Sequence, residues 1–120
     1  MNNGAVTNDA QCYGVNTGYG IRVGGILGAS TKEGSVVDKC SNTGKIDQPK
    51  ASSRASTGLG GIIGVVSGKT TLKGCSNSGV FGMSGETVVK GAAMGGLVGY
   101  VTGCSIVITK ADDGTWNTNT

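Results

Sequence analysis

One short block recurs three times along the chain, as Gly24-Gly25-Ile26-Leu27-Gly28, Gly60-Gly61-Ile62-Ile63-Gly64 and Gly95-Gly96-Leu97-Val98-Gly99. The blocks start 36 and then 35 residues apart (24 to 60, 60 to 95). A similar spacing carries Lys39-Cys40-Ser41-Asn42-Thr43-Gly44 onto Lys73-Gly74-Cys75-Ser76-Asn77-Ser78-Gly79. Glycines, cysteines and asparagines returning together at such a period mark a stacked repeat, in which each unit buries its apolar face only against its neighbours. Stacks present long faces and mating ends rather than enclosed pockets. The expected function is therefore binding or assembly before chemistry.

Composition agrees with thin, stacked layers. The chain has 120 residues, one domain by length, and can bury only about two-thirds of its unfolded surface. Aromatic bulk is confined to Tyr13, Tyr19, Phe81, Tyr100 and Trp116, so the core must come from Ile, Val, Leu and Ala. Glycine makes up 24 residues against a usual share of about 7%, yet there is one proline and 37% hydrophobic content, so glycine is architectural here rather than a sign of disorder.

The net charge of +3 is spread from Arg22 to Lys110 without a basic run, which argues against nucleic acid as a partner because phosphate tracking needs a basic stripe with stacking aromatics. No window approaches the roughly 20 apolar residues of a transmembrane helix. Residues 1–4 are polar rather than a signal peptide, so a secretion signal would have been removed or would lie outside these residues.

Each repeat reads as an apolar strand after the glycine pair, a polar arm, a second short strand (Ser35-Val36-Val37, Thr71-Leu72), the turn Cys-Ser-Asn-x-Gly, and a third short strand (Lys45-Ile46, Val80-Phe81). Three short strands between Gly and Asn turns make one coil of a β-helix. Helix is not expected, because the apolar residues come in twos and threes between glycines. The fold class is thus all-β, a β-solenoid of about three coils built from repeats of ~35 residues. As one domain over 1–120 it divides into a half repeat 1–22, repeats 23–58 and 59–93, and a shortened repeat with its tail, 94–120.

Asn2-Asn3-Gly4-Ala5-Val6 matches the Asn-x-Gly half of a repeat, whereas the last unit reaches Cys104-Ser105 early and shows no such turn afterwards. Two readings of the ends follow: a fragment of a longer array, or a subunit whose halves complete each other head to tail through unpaired strand edges. The polar tail 111–120 would fray unless held, and a neighbouring copy is the expected holder. The arms 48–57 and 83–93 vary between units and are where specific contacts would sit.

Candidate chemistry is sparse. Gly64-Val65-Val66-Ser67-Gly68-Lys69-Thr70 has three residues between its glycines where a phosphate loop needs four, and Gly58 to Gly64 misses the dinucleotide fingerprint. There is no histidine, which removes Ser-His, Cys-His and imidazole-metal designs. The acids Asp9, Glu33, Asp38, Asp47, Glu86, Asp112 and Asp113 show no spacing that returns with the coils, so a solenoid glycosidase or lyase site is not indicated. Calcium has only Asp112, Asp113 and Asn117 in its favour, and zinc lacks a Cys-x-x-Cys pair. No catalytic residue, cofactor or metal is assigned.

Three sets of residues are instead structural candidates. The repeat glycines are Gly24, Gly25, Gly28, Gly60, Gly61, Gly64, Gly95, Gly96 and Gly99. A cysteine ladder would stack Cys40, Cys75 and Cys104 about 4.8 Å apart, as buried thiols or with one bridge between adjacent coils, and Cys12 lies outside that register. Asn2, Asn42 and Asn77 would form a turn ladder of amides bonded along the stack, with Gly44 and Gly79 in a left-handed turn. Paired apolar residues (Ile26-Leu27, Ile62-Ile63, Leu97-Val98, Val36-Val37, Val65-Val66, Val88-Val89) place one member of each pair outward, since adjacent strand residues face opposite ways. An apolar outer face suited to lateral packing follows.

The Gly-Gly-[Ile/Leu]-[Ile/Val/Leu]-Gly block followed by Cys-x-Asn-x-Gly-x-[Val/Ile] resembles the GLUG-motif repeats of bacterial surface and secreted proteins, over about residues 23–109. The resemblance implies a β-solenoid at the cell surface or outside the cell, adhesin-like and without catalytic residues. This chain departs from it in its shortened third unit and lack of an attached effector domain. The leading expectation is a non-enzymatic structural subunit that partners itself, head to tail and laterally, in an extracellular filament or surface structure. The alternative is an adhesin or ligand-binding module holding a host or cell-surface glycan or protein.

Overall fold

Fifteen short strands follow one another with no helix among the described residues, which in this computed structural model are 1, 2, 4, 6–7, 22–47, 57–82 and 92–120. After β1 (Val6–Thr7), the first coil runs β2 (Arg22–Gly24), β3 (Leu27–Ser30), β4 (Ser35–Asp38), β5 (Ser41–Asn42) and β6 (Ile46–Asp47). The second repeats it as β7 (Thr57–Gly60), β8 (Ile63–Val66), β9 (Thr70–Lys73), β10 (Ser76–Asn77) and β11 (Phe81–Gly82). The third has β12 (Ala92–Gly95), β13 (Val98–Val101), β14 (Ile106–Thr109) and β15 (Thr118–Asn119).

Equivalent strands stack in parallel into five three-stranded sheets: β2-β7-β12, β3-β8-β13, β4-β9-β14, β5-β10-β15 and β1-β6-β11, called the first to fifth sheets below. The register aligns Val23, Leu59 and Met94; Leu27, Ile63 and Val98; Val37, Leu72 and Ile108; and Val6, Ile46 and Phe81. The glycine blocks are therefore rungs of one parallel β-solenoid of three coils.

Each full coil carries five strands, not the expected three. Ser41-Asn42 and Ser76-Asn77, expected as turns, are two-residue strands. A further strand precedes each glycine pair, where Thr57-Gly58-Leu59-Gly60 looks like a turn in sequence. The physical reason lies in close sheet packing. A Cβ on Gly58 would overlap the carbonyl oxygen of Gly64, and one on Gly64 would lie 2.7 Å from the Val23 nitrogen and 2.8 Å from its oxygen. The alternating glycines strip side chains from one face, and the first and second sheets meet backbone to backbone.

That contact also corrects the expected outward apolar face. In the middle coil Ile62, Ile63, Val65 and Val66 are all fully buried, because the first sheet covers the second face of β8. Only the third sheet behaves as expected: Val36 is outward and exposed while Val37 is buried, and its outer row reads Val36, Thr71, Val107, broken by threonine. Val88 and Val89 lie outside the described residues.

Two apolar cores result. Val37, Ile62, Ile63, Val66, Leu72 and Cys75 form one, and Val23, Ile46 and Leu59, with Phe81 against them, form the other. The buried polar residues Ser30, Asn42, Thr70 and Asn77 are all hydrogen-bonded. Thr70 Oγ1 donates to the Gly68 carbonyl at 2.8 Å, so the Ser30 hydroxyl, 2.8 Å away, is the donor to Thr70. One backbone position breaks the repeat's chemistry: Lys39 sits at φ 50°, the place that Gly74 takes at φ 56° in the next coil. Asp38 and Lys73 are in register there, which puts opposite charges on neighbouring rungs.

Candidate functional site

The asparagines form a continuous ladder along the fourth sheet. Asn2 Nδ2 donates to Asn42 Oδ1 at 2.9 Å, Asn42 Nδ2 to Asn77 Oδ1 at 2.8 Å, and Asn77 Nδ2 to Asn119 Oδ1 at 2.9 Å. The first three also bond the glycine two residues on, donating to its carbonyl and accepting from its N–H. Asn42 and Asn77 thereby use both amide hydrogens and both acceptor sites of the side chain, which is what lets them sit buried.

Each glycine of the repeated block has its own steric duty. A Cβ at Gly24, Gly60 or Gly95 would overlap the carbonyl oxygen three residues on, at Leu27, Ile63 or Val98. Gly25, Gly61 and Gly96 form the notch for the ladder, since a Cβ there would run into the side chain of Asn42, Asn77 or Asn119. Gly28, Gly64 and Gly99 face the first sheet, where a Cβ would come within 3.0 Å of the Arg22 oxygen, 2.7 Å of the Val23 nitrogen and 2.6 Å of the Leu59 nitrogen respectively. Gly44 and Gly79 are not left-handed, contrary to expectation. They are needed because a Cβ would overlap the carbonyl of the stacked glycine below, Gly4 or Gly44.

The fourth ladder member, Asn119, was missed by sequence reasoning. It lies 42 residues after Asn77, because the segment from Lys110 to Asn117 interrupts the period. The only signal was the pattern hydroxyl-Asn in Thr118-Asn119, matching Ser41-Asn42 and Ser76-Asn77. The tail thus closes the third coil itself, and its order needs no neighbour. Two exposed ion pairs pin it: Lys39 Nζ to Asp113 Oδ2 at 2.7 Å and Lys73 Nζ to Asp112 Oδ1 at 3.4 Å. The hydrogen bond and charge of Lys39, with the Thr115 N–H, hold the Asp113 carboxyl well below the usual carboxylate range, and Asp113 in turn raises Lys39. Both acids face lysines, and Asn117 turns its amide inward to the Cys75 N–H and the Leu72 and Thr109 carbonyls.

The cysteine ladder is corrected as well. Cys40 and Cys75 are stacked, with the Ser76 N–H bonded to the Cys40 carbonyl. Cys104 is not above them: it precedes β14, level with the Gly68-Lys69 turn, and the third rung of the cysteine position is Asn117. All three are free thiols. Burial pushes the Cys75 thiol up, and its Sγ–H lies 3.4 Å from the Val37 carbonyl, so it acts as a filler and not as a nucleophile. Cys12 lies outside the described residues, as do positions 48–56 and 83–91 of the two arms.

What remains uncommitted is at the ends of the stack. On the third coil Met94 and Ile108 occupy core positions yet are 54% and 55% exposed, against 1% and 0% for Leu59 and Leu72 one rung below. Among the described residues no strand lies beyond β12, β13, β14 or β15, nor beyond β2, β3 and β4 at the other end. Beside β3 and β4 a groove of about 440 Å³ is lined by Leu27, Ser30, Lys32, Ser35 and Val37, with no carboxylate in its walls. Among the described residues no helix is long and apolar enough to cross a membrane. No protein-family model, curated protein or solved structure matches the chain.

Proposed function

We propose that this chain is a non-enzymatic structural protein, a β-solenoid subunit that stacks head to tail on copies of itself into a filament or surface structure. The observation that carries the reading is the unfinished core of the third coil. Met94 and Ile108 stand where the coil below buries Leu59 and Leu72, and a further rung would cover them. Burying the exposed half of each contributes on the order of 1 kcal/mol apiece, and the row of strand edges adds backbone hydrogen bonds to the same contact. The non-enzymatic part rests on the paired amides of the buried Asn42 and Asn77, on Asp112 and Asp113 pairing with lysines, and on the absence of histidine. An extracellular or cell-surface setting is what the resemblance to GLUG-motif repeats implies.

Sedimentation of the chain over a concentration series up to about 1 mM, the range of an intramolecular competitor, tests the proposal. Mass should climb with concentration, and Ile108→Lys should hold the protein near its 11.8 kDa monomer. A chain that stays monomeric across the series, both as wild type and with Asn119→Ala, contradicts it.

A further inference from the structure

Head-to-tail stacking can be followed strand by strand, and it meets one obstacle inside the chain. Advance a second copy by three coils. Its β2, β3 and β4 then take the fourth level over β12, β13 and β14, which sets Val23 over Met94, Leu27 over Val98, Ala29 over Tyr100 and Val37 over Ile108. Its β1 fills the one position the third coil lacks, over β11, and extends the row Val6, Ile46, Phe81. Its Asn2, however, falls at the level that β15 already occupies. The incoming Asn2 and the resident Asn119 compete for one notch, at Gly96, and for one donor, Asn77 Nδ2. Advancing by four coils avoids the collision but leaves a rung empty in the first, second, third and fifth sheets.

We propose that the edge left by β10 and β11 is the docking site for Asn2, Gly4 and β1 of a second copy, and that the chain's own β15 is a competing plug in that site. This rests on the stacking reading above. The occupant is argued from equivalence: Asn2 already bonds Asn42 in the way Asn119 bonds Asn77. It is also the better occupant. Asn2 brings Gly4 two residues on, which closes the local pair of hydrogen bonds seen at Asn42 and Asn77. Its Oδ1 accepts from Gly4 and, among the described residues, has no donor at its second acceptor site, the one filled in Asn42 and Asn77 by the rung before. Exchange frees only Thr118 to Thr120, because Asn117 keeps the preceding loop fastened to Cys75 and Leu72.

The test compares the full chain with Asn119→Ala, Asn2→Ala and the double variant by sedimentation, with far-UV circular dichroism to show that each remains folded. Weakening the plug should lower the concentration for half-assembly by about tenfold or more, since a tethered competitor acts at roughly millimolar effective concentration. Asn2→Ala should abolish that gain. A chain ending at Asn117 should behave like Asn119→Ala, and it covers the case in which alanine alone fails to release the strand. Assembly that Asn119→Ala leaves unchanged or reduces, or that is indifferent to Asn2, overturns the plug while leaving stacking intact. Absence of assembly in every variant overturns both.

Discussion

Replacing Asn77 by alanine removes four hydrogen bonds from the centre of the stack. The lost bonds are the donations to Gly79 O at 3.2 Å and Asn119 Oδ1 at 2.9 Å, and the acceptances from Asn42 Nδ2 at 2.8 Å and the Gly79 N–H at 3.2 Å. Asn119 is exposed and water can replace its partner, but Asn42 and Gly79 are buried; the Gly79 N–H still reaches the Asn42 carbonyl at 3.3 Å, which leaves two groups without partners, one Asn42 amide hydrogen and the Gly79 carbonyl. At about 1–3 kcal/mol for each unsatisfied buried group, the expected cost is roughly 2–6 kcal/mol. That is a large share of the roughly 5–15 kcal/mol that holds a domain of this size together. Asn2→Ala removes the same kinds of bond at the solvent-facing end and should cost only about 0.5–1 kcal/mol. Urea unfolding followed by far-UV circular dichroism, with equal slopes for the two variants, gives both numbers. Equal costs below 1 kcal/mol at both positions would show that the ladder is incidental and that the apolar rungs alone hold the coils.

Three other expectations use the same geometry. In an Asp113→Asn background, where the ion pair is already absent, Lys39→Gly relieves a left-handed lysine and should stabilise by about 1 kcal/mol, while Gly74→Ala should destabilise by about 1–2 kcal/mol, both read from thermal melts. A maleimide added to the native protein should label Cys40 and Cys104 well before Cys75, as peptide mapping over time would show; equal rates would contradict the burial of Cys75. The Asp113 carboxyl is held below its unfolded value, so its contribution is fully present above about pH 4 and is lost as pH falls below the usual carboxylate range towards the depressed native value. Trp116, exposed in the same tail, should report that loosening by fluorescence below about pH 4, with the middle coil still folded.

The stack itself was legible because a rung imposes the same steric demand at the same place in each coil. Gly61 must make room for Asn77 just as Gly25 does for Asn42, so the residues recur and the period appears. The strand before each glycine pair was not legible, since Gly58 and Gly60 carry the mark of a turn until the facing backbone of Gly64 is known. Nor was the second covered face of β8, which hides Val65 against Gly58. The tail escaped for a different reason. An irregular loop pinned by Asp112 and Asp113 shifts Asn119 out of period, and the same shift made Cys104 look like the third cysteine when Asn117 holds that place. Side chains that satisfy one another across rungs leave a periodic trace, and a single closing segment leaves none.

The most direct test of the stacking account is the axial repeat of the assembled material, from electron cryo-microscopy of the concentrated Asn119→Ala protein. Three coils at about 4.8 Å per rung predict filaments in which each subunit advances by roughly 14 Å, with the rung spacing continuous across the junction. A subunit advance near 19 Å, one rung longer, would mean that β15 stays in place and that the junction carries a gap. Particles no larger than one chain would contradict the assembly account as a whole.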